Sequence, residues 1–85
     1  MPEICRFYGL IIFMNYNEHS PPHFHVRYQD QEITVEIQTG TVEGKMSKHG
    51  LRMIFEWYEQ HLDELQMNWD LARERKPLQR IAPLP

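Results

Sequence analysis

Two hydrophobic periods divide this chain. Up to about residue 46 the apolar positions recur at every second residue, and from about residue 48 they recur at every third or fourth. The first period marks strands and the second marks a helix. Residues 4–16 read as the first strand, with Ile4, Tyr8, Leu10, Ile12 and Met14 on one side and Phe7, Ile11 and Phe13 on the other. A strand apolar on both sides is central, or it is covered on one side and paired in an oligomer, so a homodimer is an expectation. Gly9 inside this run points to a bulge or a close backbone approach.

Residues 17–22 form a loop stiffened by Pro21 and Pro22, each of which fixes its own φ and extends the residue before it. The chain leaves this loop as a second strand, His23 to Tyr28. There Phe24, Val26 and Tyr28 alternate with His23, His25 and Arg27. Residues 29–31 turn the chain. Ile33, Val35 and Ile37 then alternate with Glu32, Thr34, Glu36 and Gln38 in a third strand. Parity specifies a register: Arg27 opposite Glu32, His25 opposite Thr34 and His23 opposite Glu36, with Val26 beside Ile33 and Phe24 beside Val35. A slip of one residue would bury Glu36 and expose Val35. Gly40 ends the strand, and residues 41–46 offer a short fourth strand or a wandering edge.

Ser47 is a candidate helix N-cap. Beyond it Leu51, Phe55, Tyr58, Leu62, Leu65, Trp69 and Ala72 form one apolar stripe, with no Gly or Pro between residues 51 and 76. This predicts one long helix over about 48–75, roughly 35–40 Å if unbroken. Lys76-Pro77 stops it, and the tail, carrying Leu78, Ile81 and Leu84, either folds back on apolar surface or is a frayed terminus. The expected fold is α+β: a three- to four-stranded antiparallel sheet with one long C-terminal helix packed on one face, in a single domain over residues 1–85.

Composition narrows the setting. A hydrophobic fraction of 41% with 25% charged residues is that of a globular chain. The net charge of −3 argues against a broad nucleic-acid footprint. One cysteine, Cys5, excludes an internal disulfide framework and reads as a small buried hydrophobe. With no signal-like segment, the expected location is cytoplasmic.

The chemistry concentrates at the loop and second strand, and three readings compete. His19, His23 and His25 stand in an H-x3-H-x-H spacing, which suits zinc or another divalent transition metal with an open position. Without metal, His23, His25 and Arg27 on one strand face are candidates for acid–base catalysis or phosphate recognition, and RNA is then a candidate substrate. Glu32 and Glu36 would orient the imidazoles. In the third reading the chain is a binding module. Met53, Trp57, His61, Glu64 and Asn68 make a second stripe beside the core stripe; Trp57 there is an interface residue, or the core-facing stripe is broad enough to include it.

The opening Met-Pro-Glu-Ile-Cys-Arg-Phe-Tyr-Gly-Leu resembles the start of the small bacterial domain-of-unknown-function family 4160. So does Asn17-Glu18-His19-Ser20-Pro21-Pro22-His23-Phe24-His25, close to the family form N-D-H-x-P-P-H-F-H, with Glu18 in place of the Asp. Glu56-Trp57, His61, Glu64-Leu65, Asn68-Trp69 and the ending Ile81-Ala82-Pro83-Leu84 also match. Members often occur beside a second small domain, in an arrangement like a toxin–antitoxin operon. The resemblance therefore implies a toxin-like effector and a small protein partner, and it carries over no catalytic residue. The expectation is an effector acting through His19, His23, His25 and Arg27, with Glu36, Trp57, His61 and Glu64 as binding residues. The rival is a regulatory or adaptor module using the same surface without chemistry.

Overall fold

The computed structural model describes residues 2–85. Five strands, β1 (Glu3–Phe7), β2 (Leu10–Phe13), β3 (His23–Tyr28), β4 (Gln31–Glu36) and β5 (Val42–Gly44), pair antiparallel in sequence order. Two helices follow, α1 (Lys48–Gln60) and α2 (Leu62–Arg73). The class is α+β, as expected from the two periods. Both counts differ from the expectation, and each difference has a local cause.

The predicted first strand is a hairpin. Phe7 pairs with Leu10, so Tyr8 and Gly9 form a two-residue loop. Both have positive φ, 47° and 84°. Such a loop follows the right-handed twist of paired strands, and its usual signal is Asn-Gly or Asp-Gly. Here a tyrosine takes the first left-handed position, and Gly9 supplies the turn rather than a bulge. The bulge lies between Glu3 and Cys5 instead.

The β3–β4 hairpin has the register that parity predicts: His23 opposite Glu36, Phe24 opposite Val35, His25 opposite Thr34, Val26 opposite Ile33 and Arg27 opposite Glu32. Phe24, Val26, Ile33 and Val35 are buried toward the helices. The predicted short fourth strand is the fifth, β5, which pairs Val42 with Val35 and Glu43 with Thr34.

The predicted single helix breaks at His61, whose φ of −130° and ψ of 26° leave the helical region. The Ser47 hydroxyl caps α1 by accepting from the Gly50 amide at 3.2 Å. His61 closes α1 through its amide to the Tyr58 carbonyl and opens α2 by accepting from the Leu65 amide. Asp63 and Glu64 then sit in the first turn of α2, where the helix dipole favours acids. The bend keeps both halves of the apolar stripe on one core. Trp57, Leu65 and Trp69 all belong to the buried cluster, which a straight helix would overrun.

Of the two readings of the tail, docking holds. Ile81 is buried and its amide donates to the Ile4 carbonyl at 2.9 Å. Asn68, itself buried, donates to the Gln79 carbonyl and accepts from the Gln79 amide, both at 2.9 Å. The Trp57 indole donates to the Ala82 carbonyl at 2.8 Å. This corrects Trp57 as a binding residue. Its side chain is fully buried beside Phe7 and Phe24, and its one polar atom is satisfied inside the chain.

Candidate metal centre

Strand alternation turns His23, His25 and Arg27 to the sheet face opposite Phe24 and Val26. Phe13, next to His25 across β2–β3, is buried on that same face and stacks on the His25 ring, 4.9 Å between centroids and 14° between planes. The Trp69 ring on α2 comes within 5.1 Å of the His23 ring. Each imidazole therefore rests on an aromatic wall from a different element.

The loop between β2 and β3 folds over these rings because it is tied at both ends and in the middle. The Met14 amide donates to the Pro2 carbonyl, and the Ile37 amide donates to the Pro22 carbonyl. The Tyr16 hydroxyl donates to the Lys76 carbonyl at 3.2 Å, and Arg75 Nε donates to Asn17 Oδ1 at 3.3 Å. The chain just after α2 thus fixes the segment carrying Glu18.

Glu18 Oε1 is hydrogen-bonded to His25 Nε2 and lies 3.5 Å from His23 Nε2. The ligand atoms of Glu18, His23 and His25 all fall within 4.8 Å of one another. The ring nitrogens on the far sides differ. His23 Nδ1 lies 2.8 Å from the Pro21 carbonyl, which can only accept, so Nδ1 holds the proton and a neutral ring turns a bare Nε2 toward Glu18. His25 Nδ1 is buried and has no hydrogen-bond partner; Glu32 Oε2 is 3.7 Å away. Burial pushes the Glu18 carboxyl up, but the hydrogen bond from His25 and the nearness of the His25 and His23 imidazoles outweigh it. The net shift is below the ordinary carboxylate value.

These residues line one end of a cleft of about 280 Å³. His19, Ser20, Pro21, Thr34, Glu36, Thr41 and Glu43 form the rest of its walls. Glu36 sits opposite His23 and accepts a hydrogen bond from the Thr39 hydroxyl at 2.5 Å. Arg27 donates to Glu32 across the hairpin at 3.1 Å and holds its guanidinium 5.4 Å from the centre of the Phe13 ring.

The expected three-histidine set is replaced by Glu18, His23 and His25. His19 lines the cleft but is exposed, because consecutive side chains of the non-helical loop diverge and Glu18 takes the inward position. His61 and Glu64 pair with each other at 2.6 Å where the two helices meet, and neither lines the cleft. Sequence reasoning passed over Glu18, Phe13 and Trp69 as site residues. The one available signal was an acidic residue beside His19 in the Asn17–His25 run.

Two ring nitrogens and a carboxylate oxygen thus meet in a cleft of a small α+β protein, each ring held on an aromatic wall, and this two-His, one-carboxylate cluster could hold a metal ion. The model of the family described as "Domain of unknown function (DUF4160)" matches residues 9–70, and the chain belongs to that family. The match contains every residue of the cleft. Comparisons with curated proteins and with solved structures give no match. Among the described residues, no helix is long and apolar enough to cross a membrane.

Proposed function

We propose that this chain is a metal-dependent effector of toxin–antitoxin type, working from the Glu18–His23–His25 cleft and restrained by a small protein partner. The observation that carries the metal reading is the convergence of His23 Nε2 and His25 Nε2 on one carboxylate oxygen. Its fit to a cation rests on His25. A neutral His25 ring that donates from Nε2 to Glu18 has a bare Nδ1, and that atom is buried with no hydrogen-bond partner. Such groups are rare in folded chains. Three protein ligands leave positions open, and the cleft beyond them has room for a substrate group.

A zinc ion or another divalent transition metal bound there would supply Lewis acidity and an activated water. The chain's own residues would do the rest. Glu18, His23 and His25 would hold the ion, and Glu36, the strand partner of His23, would accept a proton. Phe13 and Trp69 keep the two rings in place. Among the described residues lining the cleft there is no lysine or arginine, while Glu36 and Glu43 add negative charge. This favours a protein or small-molecule substrate over RNA, whose phosphates need cationic contacts. The effector and partner parts of the reading rest on the resemblance to an operon-paired family.

Induced expression in a bacterial host tests the proposal. Wild type is expected to arrest growth, and His23→Ala is expected to relieve the arrest while still binding the product of the adjacent open reading frame. Absence of arrest by wild type, together with loss of partner affinity in His23→Ala, supports the adaptor reading in its place.

A further inference from the structure

We infer that Glu32 is the carboxylate that holds His25 in its metal-binding form, an assignment that rests on the metal reading of the cleft. Four contacts close a ring around the His25 imidazole. Phe13 stacks on it. Arg27 lies over Phe13. Arg27 Nη2 donates to Glu32 Oε1 at 3.1 Å. Glu32 Oε2 faces His25 Nδ1 at 3.7 Å. The β3–β4 register builds this ring. Arg27 is directly opposite Glu32, and Glu32 is therefore the diagonal neighbour of His25 on the same face.

The chemistry asks for such a group. A neutral imidazole carries one ring proton. In a neutral metal-free ring hydrogen-bonded to Glu18 through Nε2, that proton stays on Nε2 and is shared with Glu18 only as a hydrogen bond. A cation bound at Nε2 displaces it, and the ring proton then resides on Nδ1, with the net charge of the ring unchanged. Nδ1 is buried away from water, so its N–H needs an acceptor within the protein. Glu32 is the carboxylate facing it. The 3.7 Å separation is longer than a hydrogen bond, whose N–H···O distance is about 2.7–3.2 Å. The Glu32 side chain is 44% exposed, so it has room to close the difference. Metal-bound imidazoles commonly donate their second N–H to a carboxylate or a carbonyl. His23 already has its carbonyl in Pro21, and Glu32 gives His25 the matching partner.

Arg27 follows from this as a positioning residue rather than a catalytic one. It holds Oε1 of Glu32 so that Oε2 is left for His25.

Cobalt(II) titration of the full chain tests the assignment, with zinc as competitor, on wild type, Glu32→Ala and Glu32→Gln. Wild type is expected to take cobalt with a visible spectrum of nitrogen–oxygen coordination. Glu32→Ala is expected to bind about 10–100-fold more weakly. Glu32→Gln, which keeps an accepting oxygen, should fall between the two. Long-range proton–nitrogen spectra of the His25 ring give a second readout that a purely structural role would not move. On zinc addition the ring proton should pass from Nε2 to Nδ1 in wild type, and the Nδ1 proton should exchange with water faster in Glu32→Ala. If that variant fails to fold, Glu32→Gln carries the comparison. Unchanged cobalt affinity and an unchanged Nδ1 proton in the variants would overturn the role of Glu32 and leave the metal site standing. A wild-type chain that takes neither cobalt nor zinc would overturn both.

Discussion

Glu18 and His25 are seven residues apart in the chain, and their side chains meet in a hydrogen bond beneath a loop anchored to the end of the last helix. That contact joins the two halves of the fold. The strand presents the imidazole, and the segment just after α2, through Lys76 and Arg75, sets the position of the carboxylate. His23, on the same strand face, brings its own Nε2 to the same oxygen.

Removing Glu18 should therefore cost more metal affinity than removing any residue that only supports a ligand. Glu18→Ala is expected to weaken zinc binding by more than about 100-fold, above the range for supporting partners. His19→Ala should change it little, since His19 is an exposed wall of the cleft. Competition with a chromogenic chelator measures both.

Trp57 should report on the core and the tail together. Trp57→Phe keeps an aromatic ring but leaves the Ala82 carbonyl without its donor, a loss of about 0.5–1.5 kcal/mol. Trp57→Ala opens a cavity among Phe7 and Phe24 and should cost about 3–5 kcal/mol. Denaturant unfolding of the three proteins gives both numbers. Equal, small losses would show that the indole is not a core residue.

Gly44 sets the sheet edge beside the cleft. Its φ is 101°, and a Cβ there would lie 2.6 Å from the Glu32 carbonyl oxygen. Gly44→Ala is expected to destabilise by about 1–3 kcal/mol through backbone strain alone, with more from the clash. It should also disturb β5 and hence the Glu43 wall. Gly9→Ala is the comparison. It shares a positive φ, but its nearest neighbour is a Tyr28 ring carbon at 3.4 Å, so it should cost less. Thermal unfolding of the two variants tests the order.

The tail should loosen in acid. Hydrogen bonds from Arg6 and from Arg80 hold the Glu3 carboxyl below its ordinary value of 4.5. A carboxylate depressed on folding contributes stability above its unfolded value and loses it as pH falls through the folded one. Protection of the Ile81 amide, which donates to the Ile4 carbonyl, should therefore decline below about pH 4.5. Arg80→Ala should flatten that decline. Hydrogen exchange at Ile81 across this window follows the effect.

Where side-chain alternation decided the structure, the sequence was readable. Phe24, Val26, Ile33 and Val35 could be buried together in one register only, and His23 opposite Glu36 followed. Where the backbone departs from its usual signals, it was not. Tyr8-Gly9 lacks the Asn or Asp that announces a tight hairpin, so β1 and β2 read as a single strand. His61 ends α1 without Gly or Pro, because the need to keep Trp57 and Trp69 on one core bends the chain there. The site was half legible. The strand period placed His23 and His25 on one face, but the third donor depends on which of Glu18 and His19 a folded loop turns inward. That is settled by Tyr16 and Asn17 docking on residues 60 and 58 positions further along. For Trp57 the sequence offered an interface or a broad core-facing stripe, and burial against Phe7 and Phe24 decides for the stripe.

The most direct measurement is the metal content of the untagged, chelator-free chain by plasma mass spectrometry, with His23→Ala/His25→Ala alongside. About one zinc or other transition-metal ion per wild-type chain, lost in the double variant, is the predicted result. No bound metal in wild type, even after incubation with zinc, would contradict it.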